Sequence, residues 1–215
     1  MSNEPEVELV VSARIPTSTG EFRLSLYQDL HDAREQLALV RGEVRQAESV
    51  LVRLHSESIT GDLLGSLRCD CGEQLRTSLE LISAEDAGVL IYLRQEGRGI
   101  GLRDKLRAYN LQDEGLDTVD ANLALGHQAD ERDYGAAAAI LRQLEVRSIR
   151  LLTNNPHKLD SLRALGVAIT HRIPLHSHPT DQNAAYLQAK QTRLNHWISL
   201  DSNPTPPIRR PARDR

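Results

Sequence analysis

The sequence predicts an α/β (α+β) chain, in which a β-rich N-terminal part packs on an α/β core with a mixed sheet and a long C-terminal helix. Three observations predict it. Residues 7–54 hold short runs of strand length, one of them alternating apolar and polar. From Gly72 onward, helix-spaced segments alternate with continuous apolar runs, which is how strands buried on both faces read. The 215 residues are 40% hydrophobic and 26% charged, enough to close one large core without staples. A single domain is expected over residues 1–200.

Val7–Pro16 and Gly20–Tyr27 read as strands joined by the turn Thr17-Ser18-Thr19-Gly20. In the second, Glu21, Arg23 and Ser25 alternate with Phe22, Leu24 and Leu26, which predicts one wet face. Gln36–Gly42 and Ser49–Leu54 read as two more strands. Gly72–Ala84 places Leu75, Leu79 and Ile82 at helical spacing. Gly88–Leu93 is a continuous apolar run that suits a buried parallel strand. Leu102–Gln112 and Ala136–Leu144 read as helices, and Ser148–Leu152 as another buried strand. Pro156 opens a helix at a favourable first position, ending near Gly166. Asp181–Leu200 reads as the long terminal helix. Beyond it, Pro204, Pro206, Pro207 and Pro211 beside Arg209, Arg210, Arg213 and Arg215 give residues 201–215 the composition of a disordered tail.

Composition also limits function. Aromatics are 3%, so Leu, Val, Ile and Ala must fill the core. A net charge of −4 argues against a general nucleic-acid binder. No run of eighteen apolar residues is present, so no membrane partner is expected. The first eight residues lack the apolar centre of a signal peptide, and a cytoplasmic protein is expected. Cys69 and Cys71 are the only cysteines, so the pair reads as a metal or redox site rather than a disulfide framework.

Four clusters carry chemistry. The first runs from Arg53-Leu54-His55-Ser56-Glu57-Ser58 to Arg68-Cys69-Asp70-Cys71-Gly72. Thiolates bind zinc, zinc takes about four ligands, and an extended Cys-x-Cys would turn both sulfurs to one side. His55, Glu57 and Asp70 are candidates for a third ligand, and a pair of small residues in a tight turn is the bland alternative. The second, Arg94-Gln95-Glu96-Gly97-Arg98-Gly99-Ile100-Gly101, sits between a buried strand and a helix. Free backbone N–H groups in such a turn cradle phosphate, and Arg94 and Arg98 would add bidentate contacts. The spacing fits neither a Walker loop nor the dinucleotide fingerprint. The third, Asp130-Glu131-Arg132-Asp133, has the look of a solvated helix start. The fourth, Thr153-Asn154-Asn155-Pro156-His157-Lys158, follows a buried strand, where α/β sheets bind ligands. Taken together they suggest metal-assisted hydrolysis of a phosphate-bearing small molecule.

Seven segments occur in register: Arg53-x-His55-Ser56-Glu57, Thr60-Gly61-Asp62, Ser66 to Gly72, Arg94 to Arg98, Asp117-Thr118-Val119, Ala129 to Asp133, and Leu152 to Pro156. From about Val7 to Ile198 the chain thereby resembles GTP cyclohydrolase II, the first committed enzyme of riboflavin biosynthesis. The resemblance implies that GTP is the substrate and loses pyrophosphate, while carbon 8 of guanine leaves as formate. It implies zinc held by three cysteine positions and magnesium at the triphosphate. It makes Arg132 the nucleophile on the α-phosphate, activated by Asp130, or the stabiliser of its transition-state charge. Tyr109 would lie near the base, and Arg53, Gln74, Glu96, Arg98, Thr118, Thr153 and Lys158 would hold base, ribose or phosphates. A homodimer is the expected assembly.

One position departs from the family pattern. The three zinc cysteines fall at Ser58, Cys69 and Cys71, so the first is a serine. A neutral hydroxyl is a poor zinc ligand beside thiolates. Either Ser58 or a water completes a weaker site, or His55 swings in as the third ligand, or zinc is lost and only part of the chemistry remains.

Overall fold

The computed structural model describes residues 6–198. Strands β1 (Val7–Thr17), β2 (Gly20–Asp29) and β3 (Glu35–Arg41) form an antiparallel wing. They join β4 (Val50–Ser56), β5 (Gly88–Leu93), β6 (Ile149–Leu152) and β7 (Ile169–Ile173) in one seven-stranded sheet of order β1-β2-β3-β5-β4-β6-β7. β3 meets β5 antiparallel, and β5, β4, β6 and β7 run parallel. The mixed sheet follows the expectation, with a fully antiparallel half and a fully parallel half.

The central strands are apolar on both faces because both faces are covered. Val52, Leu54, Val89, Ile91 and Leu151 point to a core closed by α5 (Gly135–Gln143) and α6 (Pro156–Ala164). Their neighbours Leu51, Leu90 and Leu152 point the other way, onto Ile82, Leu75 and Leu79 of α2 (Cys71–Ser83). This is the two-residue period of a strand read inside a three-layer stack. Gly88 lets layers approach closely, since a Cβ there would meet Ile82 at 2.9 Å and the Leu51 carbonyl at 3.1 Å.

The remaining helices are α1 (Ile59–Asp62), α3 (Gly101–Asp113), α4 (Thr118–Ala124) and α7 (Ala184–Arg193). Most boundaries fall within one or two residues of expectation, and four readings change. The sequence reading did not include β7: it is an edge strand, mostly exposed, whose Thr170, His171 and Arg172 carry no apolar run. It also missed α4, which Asp117 caps by accepting from Val119 N (2.7 Å) and Asp120 N (2.9 Å). The wet face of β2 holds at Glu21 and Arg23 but not at Ser25, which is buried and bonds Ser12 Oγ at 2.7 Å.

The long terminal helix is a correction. α7 spans ten residues, not Asp181–Leu200. Residues 181–183 form a turn, and Asn195 at φ 53° takes the left-handed conformation that stops helices. The chain then turns back: His196 N reaches Lys190 O (3.0 Å) and Trp197 N reaches Asn154 O (2.9 Å). The expected disordered tail, 201–215, lies outside the described residues, as do 199 and 200. Among the described residues no helix is long and apolar enough to cross a membrane.

Candidate functional site

A cleft opens at the carboxyl ends of β4, β5 and β6, spanning about 1040 Å³ with the solvent at its mouth. Parallel strands deliver their loops to that end, which is why α/β sheets bind ligands there. β4 supplies Arg53 and His55, the turn after β5 supplies Glu96 and Arg98, and Thr153 and Lys158 follow β6. Gln74 comes from α2, Tyr109 from α3 and Thr118 from α4. Ser58, Cys69, Cys71 and Arg132 complete the expected residues on the wall. Asp130 stands behind Arg132 as its ion-pair partner.

The cleft concentrates positive charge in a dry place. Arg53 is 6% exposed and donates Nη1 to Leu152 O (2.9 Å) and Nη2 to Gln74 Oε1 (2.7 Å). Burial pushes its pKa down to about 10. Lys158 is 4% exposed, and its Nζ donates to Leu54 O at 2.8 Å. Burial, then the charges of Arg53 and Arg132, hold it well below the ordinary lysine range. Arg98 sits at φ 65° in the glycine-rich turn, its Nη1 and Nη2 buried without a hydrogen-bond partner among the described residues. Two buried guanidinium nitrogens left unbonded are costly, and an anionic ligand would satisfy them. Arg94, expected beside Arg98, turns outward instead: it is half exposed, pairs with Glu35 at 2.8 Å and is not part of the cleft wall. Its backbone N donates to Gln36 Oε1 (2.8 Å) on β3, and its guanidinium meets Glu35 of the same strand.

Asp130 and Arg132 are not a solvated helix start. Their side chains are 17% and 13% exposed, and Arg132 Nε donates to Asp130 Oδ1 at 2.7 Å. Burial works to raise the Asp130 pKa, but the bonds and charge of Arg132 outweigh it and lower it. Burial works against the Arg132 charge, yet Tyr134 and Asp130 leave it above the ordinary arginine value. Tyr109 keeps its phenol proton, since burial raises its pKa, and its hydroxyl lies 3.5 Å from Thr60 Oγ1.

The thiol corner is compact. A Cβ on Gly61 would lie 2.9 Å from Cys69 Sγ, 3.0 Å from Cys71 Cβ and 3.2 Å from Ser58 Oγ, so three positions converge on one point. Ser58 Oγ is 3.9 Å from Cys69 Sγ. A tetrahedral zinc holding donors at about 2.3 Å separates them by roughly 3.8 Å, so the spacing fits. The segment is not extended as expected, because Cys71 is the first residue of α2. Cys69 Sγ and Cys71 Cβ still crowd the same point at Gly61, and the interaction of the two thiols holds Cys69 below the usual thiol range and pushes Cys71 above it. The third donor is the weak part. Ser58 Oγ accepts from Lys105 Nζ at 2.9 Å, and no group of three or more His, Cys, Asp or Glu suited to a metal occurs among the described residues. His55 does not join the sulfurs, since its Nε2 is bonded to Asp62 Oδ1 at 3.0 Å and its ring stacks on Tyr92.

Lys105, Asn122, Tyr186, Lys190 and His196 also line the cleft and were missed. For Lys190 a signal existed: with Leu187 three residues earlier, it falls on the buried side of α7. Lys105 bonds Glu96 at 2.7 Å across nine positions, a spacing no local pattern reveals.

Fold and cleft together define an α/β protein with a cation-rich, thiol-lined cleft at the carboxyl ends of its parallel strands. A family profile described as GTP cyclohydrolase II matches residues 8–174, and the chain belongs to that family. It is 52% identical over 193 residues to riboflavin biosynthesis protein RibBA of Chlorobium phaeovibrioides, covering 90% of this chain and 47% of that protein. It is 51% identical over 199 residues to the probable monofunctional riboflavin biosynthesis protein RIBA 3, chloroplastic, of Oryza sativa subsp. japonica, covering 92% of this chain and 37% of that one. A solved structure of RibBX, a two-domain 3,4-dihydroxy-2-butanone 4-phosphate synthase from A. baumannii, superposes with a TM-score of 0.50 at 26% identity. That match covers 80% of this chain and 41% of the other. The chain spans about half the length or less of these relatives.

Proposed function

We propose that this chain hydrolyses GTP to 2,5-diamino-6-(5-phosphoribosylamino)pyrimidin-4-one, formate and pyrophosphate, the first step of riboflavin biosynthesis. The observation that carries it is the meeting of Arg53, Arg98, Arg132 and Lys158 with a thiol pair in one cleft of a chain in this family. Arg98, Arg53 and Lys158 hold the phosphates, their charges strengthened by the dry surroundings. Asp130 orients Arg132 toward the α-phosphate. Because Arg132 stays protonated, its role is to stabilise charge on the α-phosphate in the transition state rather than to attack it. Tyr109, protonated and beside the thiol corner, donates a hydrogen bond near the base. Cys69 and Cys71, with Ser58 as a weak third donor, would hold zinc, which when bound supplies Lewis acidity at carbon 8 of guanine. Magnesium would accompany the triphosphate, and we read the working species as a cytoplasmic homodimer.

The test incubates the protein with GTP and Mg²⁺, with and without Zn²⁺, and assays formate and pyrophosphate separately. Formate above background is expected. Ser58 favours one second reading, a zinc-deficient paralogue, and pyrophosphate without formate would support it.

A further inference from the structure

The family profile ends at residue 174, but the cleft does not: Tyr186, Lys190 and His196 close one side of it. Lys190 is the most committed of the three. Its Nζ lies 2.8 and 3.1 Å from the two carboxylate oxygens of Asp70, with side chains 10% and 0% exposed. Asp70 stands between the two cysteines and directly precedes α2. The same carboxylate accepts from Ser177 Oγ at 2.6 Å and from Gln74 Nε2 at 2.6 Å. Gln74 Oε1 then accepts from Arg53 Nη2 at 2.7 Å. One ammonium therefore anchors a run of bonds that ends on two groups read above as nucleotide contacts. Removing one partner of a buried ion pair strands the other charge, so Asp70 could not hold this arrangement alone. α7 has a second, separate attachment: Arg193 bonds Asp117 and Asp120 at the surface.

We infer that Lys190 is a positioning residue of the active site: through Asp70 it fixes the thiol-bearing turn and sets Gln74 and Arg53 toward the substrate. The kinetic consequence rests on the GTP-hydrolysing reading, whereas the hold on the thiol turn does not.

The experiment compares the whole chain with its K190M, K190R and R193M variants in two assays. One measures KM and kcat for formate release from GTP. The other measures how fast Cys69 and Cys71 react with an aromatic disulfide reagent. K190M is expected to raise KM at least about tenfold with a smaller change in kcat, since Gln74 and Arg53 act in binding. It should speed thiol modification by a similar factor. K190R should recover most of both, and R193M should leave both within about twofold. Wild-type KM and thiol rate in K190M would overturn the inference, and so would equal losses in R193M, which would make α7 a general brace. Should K190M fail to fold, D70N and D70N/K190M replace it. Equal KM values in those two support the route through Asp70, and a further loss in the double variant sinks it. A wild-type protein that releases no formate counts against the GTP reading instead, and the thiol rates then decide Lys190 by themselves.

Discussion

Arg53, Arg98, Arg132 and Lys158 reach the cleft from four separate segments, whereas Ser58, Cys69 and Cys71 meet across two turns and the start of one helix. Two of the four cations are tethered to backbone carbonyls, Arg53 to Leu152 and Lys158 to Leu54, and a third to the carboxylate of Asp130. The thiol corner is held in place through Asp70, but its capacity for a metal depends on the chemistry of three side chains, one of them a neutral hydroxyl. The difference teaches that the placement of the cations is set by the fold, while the metal-binding capacity proposed for the corner is set by single residues.

The comparison breaks most sharply at Arg132. Arg132→Ala should cut kcat about 10³-fold, as losing a charge stabiliser does, with KM changed by less than about threefold. Parallel assays of formate and pyrophosphate check it, and a loss below tenfold would remove Arg132 from the reacting centre.

Ser58→Cys sharpens the other side. A third thiolate should raise zinc affinity at least about tenfold, read as metal retained after dialysis against a competing chelator. Unchanged zinc content would show that Ser58 is not part of the metal corner.

A smaller effect is expected at Lys158. Its pKa in the fold lies below its unfolded value near 10.5, so between the two the unfolded chain binds more protons and stability rises with pH. Lys158→Met removes that cost and should raise Tm at pH 7 by about 2–4 °C while weakening GTP binding. The gain should shrink as pH climbs toward 10.5. Calorimetric melts at pH 7 and 9.5 give the sign, and a gain that grows with pH would reverse the assignment.

The smallest effect is at Arg94, which faces solvent beside Glu35. Arg94→Ala should leave KM for GTP within about twofold and stability within about 0.5 kcal/mol. A tenfold rise in KM would return Arg94 to the phosphate site.

Much of this was legible in the chain. β5 and most of β6 are continuous apolar runs, so their burial is written locally, and the polar residues that follow them mark the end of the sheet where the cleft opens. Cys69 and Cys71 were legible as a candidate metal pair from residue type, whereas Ser58 entered only through the family resemblance. β7 was not legible, because an exposed edge strand needs no apolar pattern. The length of α7 was not legible either, because its stop depends on Asn195 turning back toward Asn154.

The sequence by itself determined the three buried parallel strands, the strand ends that carry charge and the thiol pair. These follow from periodicity and side-chain chemistry, which act over a few residues. Only the tertiary structure decided that Arg94 faces outward, that Arg98 Nη1 and Nη2 are left without a hydrogen-bond partner among the described residues, and that Lys190 grips Asp70 from 120 positions away. A buried charge takes whichever counter-charge the packed layers bring within bonding distance, and no local pattern records that choice.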